Sequence, residues 1–303
     1  MPNKLHHALA WLTLCLQLLL ISVAQAGPSV SFLPDPKPEF DKGILWQIDS
    51  NRGKTSYLFG TIHVDDPRIT RLHPKIKKAI ARSNSMTLEL VPDPQTLRAS
   101  MTRMFFTNGQ TLKKAVGTKL YTKATAAMAG HGMPPQMVDI MKPWAVMMTL
   151  SVPKQNSGEF LDLKLYNIAT RRGMKTHALE TYEEQLSVFD SMSLADQKKM
   201  LAHTLADLHQ LPAQFEKLRR AWLARDLAQL EKLSSEQLPD DDPAGERLMS
   251  NLLDNRNQKM LQRMQARLNE GKAFIAVGAL HLAGEDGLLT LLAQQGYKLK
   301  ALY

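Results

Sequence analysis

The sequence predicts an α/β fold, with a central, mostly parallel sheet, covering helices and a large helical insertion. Three observations carry that expectation. Between Ile44 and Val91 strand-like apolar runs flank a stretch of helical spacing, a β-α-β order completed within about 45 residues. The order returns over 161–180. The chain then closes on strand, helix and strand between Ala273 and Tyr303. Strand-like segments thus lie at both ends and around 176–180, and the stretches between them carry helical periodicity. Residues 43–303 therefore read as a single α/β domain with helical insertions at about 93–150 and 190–269. No repeat of roughly 20–50 residues is visible. With 303 residues, 44% hydrophobic and 22% charged, the chain can bury one large core or two small ones.

The N-terminal stretch "MPNKLHHALAWLTLCLQLLLISVAQA" carries Lys4, an apolar run from Ala8 to Val23, then Ala24-Gln25-Ala26. That pattern predicts a signal peptide, residues 1–26, cleaved after Ala26. The run is short for a bilayer span of about 20 residues, which argues against an anchor. Cys15, the only cysteine, follows Leu14, where a lipidation site would need a small residue. The expected mature chain has no cysteine, so packing alone must stabilise an exported fold. Thiolate metal sites and a cysteine nucleophile are excluded, and any metal would be held by His, Asp or Glu. Losing Lys4 lowers the net charge from +9 to +8, and the basic residues are scattered. That distribution suits solubility and attraction to an envelope surface, not nucleic-acid binding.

Residues 27–42 contain four prolines and read as an extended arm. "GILWQID" and "TSYLFGTIHV" flank the turn "SNRGK" as a hairpin. "HPKIKKAIARSNS" sets Pro74 at a first helical position, with Ile76, Ala79 and Ile80 at helical spacing, and "SMTLELV" returns to strand. In "MVDIMKPWAVMMTLSV", Asp139, Lys142 and Pro143 rule out a membrane span and leave a buried helix broken at Pro143, its methionines filling core. A helix follows over Leu161 to Arg171, stopped by Gly173, then the short strand "KTHALE". From Ser193, with Asp196 as start signal, to Asn269 the chain reads as helix, broken at "EQLPDDDPAG". The end reads as strand, loop, helix from about Gly287 to Gln295, and an edge strand with alternating lysines.

Two apolar runs end in Gly-x-x-His: Gly60 to His63 in "YLFGTIHV" and Gly278 to His281 in "FIAVGALHL". Ligands bind open α/β sheets at the carboxyl-end rim, where a glycine permits a tight turn or a close approach. Glu89 sits in "SMTLELV", where a sheet covered on both faces would bury it, and a buried carboxylate needs a partner. Two imidazoles and one carboxylate suit a divalent first-row cation with open coordination positions. A metal-free device would instead use His63 as general base with Glu89 orienting it; the residues leave both open. A helix opening after His281 would turn its positive end to the same rim and keep His281 neutral. Glu180 ends a strand as Glu89 does, with Glu184 and Gln185 next. One of these could hydrogen-bond a ligating histidine, while Glu184 also reads as an ordinary helix-start acid. His73, His131, His177, His203 and His209 receive no role. No HExxH and no G-x-S-x-G motif occurs.

These segments, taken together over about 43–303, resemble the TraB/GumN family, which includes the Tiki-like proteases and is related to erythromycin-esterase and ChaN-like proteins. "YLFGTIHV" is similar to its first GxxH, and "LEL" to its strand-end glutamate. "KPWA" looks like its Pro-Trp motif, and "LDLKLYNIATRRGMKTHALETYEEQ" resembles its central signature, bringing Asp162, Glu180, Glu184 and Gln185. "NRNQKM" supplies Arg256 and Asn257, and "VGALHLAGEDGLLTLLAQQGYKL" is similar to the closing motif. The chain departs from the pattern at Leu280, where many relatives carry a small residue before the histidine. The resemblance implies both GxxH segments at one site, with His63, Glu89 and His281 at its centre and Gly60, Gly278, Asp162, Glu180 and Arg256 in support. It also implies metal-dependent proteolysis, with manganese or cobalt active, zinc being a third divalent candidate.

The expectation is therefore an exported metal-dependent hydrolase, a peptidase first, acting on a peptide or small molecule in the periplasm or outside the cell. Its alternatives are a non-catalytic haem- or peptide-binding envelope protein and a metal-free esterase-like hydrolase. The sequence does not give the oligomeric state.

Overall fold

The computed structural model describes residues 40–152, 160–235 and 243–303. The expected signal peptide, the arm up to residue 39 and the break at 236–242 lie outside the described residues. The chain opens with the hairpin β1 (Leu45–Asp49) and β2 (Thr55–Thr61), then the short helix α1 (Pro67–Thr70), α2 (Pro74–Ala81) and β3 (Ser85–Leu88). Helices α3 (Pro94–Met101), α4 (Leu112–Val116), α5 (Thr118–Ala129), α6 (Pro135–Asp139) and α7 (Pro143–Leu150) follow. Next come α8 (Leu161–Arg171), β4 (Lys175–Ala178), α9 (Tyr182–Asp190), α10 (Leu194–Asp207), α11 (Leu211–Leu223) and α12 (Leu227–Ser235). The last elements are α13 (Pro243–Leu252), α14 (Asp254–Glu270), β5 (Ala273–Gly278), α15 (Leu288–Gln294) and β6 (Lys298–Ala301).

The sheet has the order β4-β3-β5-β2-β1-β6. Pairing is parallel from β4 to β2, and only β1 runs against its neighbours. The fold is thus α/β with a mostly parallel sheet. β5, which comes late in the chain, inserts between β2 and β3, so the two Gly-x-x-His strands are neighbours, with Gly60 opposite Val277 and Thr61 opposite Gly278. All of β5 is buried, whereas β4 and β6 at the edges are largely exposed.

Local signals set the helix ends. Pro74 occupies the first turn of α2, and the His73 side chain accepts a hydrogen bond from the Lys75 N–H. Ser193 caps α10 by accepting from Asp196. Thr181 and Glu184 form a reciprocal capping box at α9. The expected break near Pro143 falls between α6 and α7, and all eight residues of α7 are buried. No helix among the described residues is long and apolar enough to cross a membrane.

Two large hydrophobic cores result among the described residues, beside a small cluster of Phe160 and Leu163. One lies around the sheet, where Phe59, Phe274 and Ile275 meet Ile76, Leu165, Trp222, Met264 and Leu292. The other is helical, where Trp144, Met148, Leu186, Phe189, Leu201 and Phe215 pack together. The Trp144 and Phe189 rings stack at 6.1 Å, and Asp190 accepts hydrogen bonds from Trp144 Nε1 and Lys142 Nζ at 3.1 and 2.5 Å. The "KPWA" segment is therefore a structural joint of this second core.

Candidate active site

Adjacent parallel strands with their carboxyl ends in one direction deliver both histidines to one rim. Gly60 is required there because a Cβ would stand 3.0 Å from the Ala279 Cα and 3.2 Å from Leu282 Cδ2. The absent side chain admits the 3₁₀ turn Ala279–His281, so the first motif's glycine makes room for the second motif's histidine. Trp222 Nε1 donates to the Gly60 carbonyl at 3.0 Å and fixes that strand end. His63 and His281 are both buried, at 3% and 1% exposure.

Glu89 follows β3, and parallel pairing continues past the strand ends, since the Glu180 N–H donates to the Glu89 carbonyl at 2.9 Å. That pairing sets Glu180 beside Glu89, and Arg256 on α14 lies between them. Arg256 donates to Glu89 Oε2 at 2.8 Å and to Glu180 Oε2 at 2.7 Å, and Gln185 Nε2 bonds both carboxylates. The Gly278 N–H donates to Glu89 Oε1 at 2.6 Å, and His281 Nε2 stands 3.9 Å from the same oxygen. Asn257 Oδ1 lies 2.7 Å from His281 Nδ1, and its Nδ2 donates to the Asp286 carbonyl. The amide orientation makes Oδ1 the acceptor, so Nδ1 carries the proton and Nε2 keeps its lone pair.

On the other side, Asp162 at the start of α8 accepts from Thr61 Oγ1 at 2.9 Å, and its Oδ2 stands 3.0 Å from His63 Nδ1 without hydrogen-bond alignment. The Phe160 ring packs 5.8 Å from the His63 ring.

Burial works against the Glu89 charge, but its neighbours, His281 and then Arg256, His63 and the Gly278 N–H, outweigh it and hold the carboxyl below its usual value. Burial, then Arg256, pushes His281 down to about 3. A neutral His281 leaves Arg256 and the Gly278 N–H as the groups that keep Glu89 ionised at neutral pH. Burial raises the Asp162 carboxyl; His63 opposes that rise and Glu89 adds to it. Burial also opposes the Arg256 charge, and Glu180 with Glu89 more than offsets it.

Two buried carboxylates, Glu89 and Glu180, thus share one buried guanidinium, and a third, Asp162, lies beside His63. Such a cluster favours an added positive charge. The Nε2 atoms of both histidines are buried and have no hydrogen-bond partner among the described residues. In donor chemistry and charge these residues fit a divalent cation, although no three His, Asp or Glu side chains among the described residues stand preassembled around one point.

The structure gathers His63, Glu89, His281, Gly60, Gly278, Asp162, Glu180 and Arg256 into this one region. Three expectations change in detail. The carboxylate beside His63 is Asp162 and not Glu89, because α8 starts next to the end of β2. The side chain bonded to His281 is Asn257; Glu180 and Gln185 turn to Arg256 and Glu89. The helix beyond His281 starts at Leu288, next to its expected start, but burial and Arg256, not that helix, are what keep His281 neutral. Glu184 points outward to Arg263, in keeping with its helix-start reading. Thr61 and Phe160 also border the site, outside the expected set. Strand alternation places Thr61 on the side of His63, which was a usable signal; nothing local marks Phe160.

Sequence relatives identify the family. The TraB/PrgY/gumN family signature matches residues 44–301. The chain is 28% identical over 320 residues to Metalloprotease TIKI2 of Xenopus tropicalis, covering 88% of this chain and 61% of that protein. It is 26% identical over 360 residues to Metalloprotease TIKI2 of Danio rerio, covering 96% and 67%. Against Metalloprotease TIKI1 of Homo sapiens it is 26% identical over 310 residues, covering 84% and 61%. The chain thus spans 61–67% of the length of these relatives. No solved structure matches it. With the signature running from the start of β1 to the end of β6 and through every residue of the buried cluster, the chain belongs to the TraB/PrgY/gumN family.

Proposed function

We propose that the chain is an exported metal-dependent hydrolase acting on peptides, with His63, Glu89 and His281 holding a divalent cation such as manganese, cobalt or zinc. The observation that carries this reading is the pair of buried, unpartnered Nε2 atoms at adjacent strand ends beside an ionised Glu89. The relatives' name, metalloprotease, supports it. Bound there, the cation would act as a Lewis acid on the scissile carbonyl. The chain's own residues prepare the place. Asn257 holds the proton on His281 Nδ1 and leaves Nε2 bare. Arg256 and Gln185 clamp Glu89, and the Asp162 carboxylate, 3.0 Å from His63 Nδ1, stands where it can stabilise positive charge on that ring. The leader-like residues 1–26 support export to the periplasm or beyond.

The test is metal content by mass spectrometry together with peptide cleavage in manganese or cobalt, on wild type, His63→Ala and His281→Ala. Bound metal and cleavage in wild type, both lost in each variant, support the reading; a metal-free wild type that cleaves no peptide sinks it. The His63–Asp162 contact of 3.0 Å favours a second reading, a metal-free hydrolase with His63 as general base. Ester hydrolysis indifferent to chelators and lost in Asp162→Asn would select that one.

A further inference from the structure

Behind Asn257, on the side away from His281, lies a cavity of about 410 Å³. Glu231, Asp254, Glu285 and Asp286 line it, together with Ser234. Among the described residues none of these four carboxylates takes part in an ion pair, on a chain whose net charge is +9. Burial raises the Glu231 carboxyl, with Asp41 and Glu285 adding to it, and burial and Asp286 raise that of Asp254. Negative charge is therefore concentrated there, with no ion pair on these four carboxylates among the described residues.

An independent observation points to a ligand. Ser234 is 4% exposed and lines the cavity, and its hydroxyl has no hydrogen-bond partner among the described residues. A buried hydroxyl left unmatched costs about 1–3 kcal/mol of desolvation unless something binds it. The wall is also shaped for its carboxylate. Gly284, at φ +82°, leaves room that a Cβ would fill 2.4 Å from Glu231 Oε1. Leu280, the bulky residue that departs from the family pattern, lines the same space. Asn257 forms the wall toward the site, with one end on His281 and the other on the Asp286 carbonyl.

We propose that this cavity receives a positively charged group of the substrate, a lysine or arginine side chain or the free amino terminus of a peptide, one side chain away from His281. An ammonium group has three donors and no acceptor, which matches a lining of carboxylates and a hydroxyl. The volume falls in the range of small-ligand sites, about 300–1,000 Å³. The proposal rests on the hydrolase reading for the cleavage it would position, but not for the binding itself.

Two short fluorescent peptides, identical except for lysine or norleucine at one position, test it on the full chain with manganese present, by anisotropy for binding and mass spectrometry for cleavage. Wild type should bind the lysine peptide at least about tenfold more tightly. The double variant Glu231→Gln/Asp254→Asn, which removes like-charge repulsion and so keeps the fold, should bring the two peptides within about twofold of each other. Ser234→Ala should weaken lysine binding while its thermal midpoint stays level or rises, because the variant deletes an unmatched hydroxyl. Equal affinities in wild type, or a lysine preference that survives the double substitution, would overturn the proposal. Lysine-selective binding without cleavage keeps the subsite and removes the hydrolase reading. Equal cleavage of both peptides removes the subsite and keeps the hydrolase.

Discussion

Arg256 lies fully buried between two carboxylates that no solvent screens, and it donates to both Glu89 and Glu180. The guanidinium is planar and always charged, so it can bridge two carboxylates where a lysine could hold only one well. Removing it leaves two buried negative charges facing each other, and Arg256→Met should destabilise the fold by about 3–5 kcal/mol. Adding Glu180→Gln should recover part of that loss, since the two changes share one network. Urea unfolding of the two variants checks this, and a loss below about 1 kcal/mol for Arg256→Met would contradict the buried pairing. Asn257→Ala bears on the neighbouring histidine. It strips the acceptor from His281 Nδ1 and should weaken cation binding about 10–100-fold while leaving Glu89 clamped, a change calorimetric titration with manganese reads directly.

The elements that matter are β2, β5 and the turn each one feeds. Gly60→Ala places a methyl 3.0 Å from the Ala279 backbone and 3.1 Å from its side chain, neither of which is a flexible end. Overpacking of that kind costs about 1–3 kcal/mol, and here the relief would come from moving the turn that carries His281. The expected outcome is a lowered thermal midpoint with cleavage lost more completely than stability; a variant as active as wild type would deny that the two motifs touch. Much of this scale was legible in the sequence. The bounds of α8, Leu161–Arg171, and the Ser193 cap follow from local signals that act within one helical turn. The insertion of β5 between β2 and β3 was not legible, because strand order is set by contacts more than 180 residues apart, such as Gly278 with Glu89. Only the repeated Gly-x-x-His hinted that the two strands share a rim.

For the whole molecule, the repeated motif and Glu89 told which residues matter, but not the connections among them. The His63–Asp162 and His281–Asn257 contacts depend on where α8 and α14 pack, which no short-range pattern encodes. Charge is the other whole-molecule property, and it predicts an acid response. Side-chain hydrogen bonds from Arg263 lead in holding the Glu184 carboxyl down from 4.5 to about 2, and Arg68 leads in lowering Asp66. For such groups the unfolded chain binds more protons than the folded one across the interval between the two values. Their contribution is therefore complete above about pH 4.5 and lost as pH falls toward about 2. Glu231 and Asp254 act with the opposite sign. Their carboxyls are raised, so mild acid protonates them more readily in the folded chain and favours it. Stability should thus hold level or rise slightly as pH falls from neutrality toward 5, then drop steeply below about 4.5. Glu184→Gln should flatten the steep limb, and Glu231→Gln should remove the slight rise and raise stability at neutral pH. Thermal midpoints measured across pH 2 to 8 for the three proteins decide it, and an acid limb unchanged by Glu184→Gln would assign that response to other carboxylates.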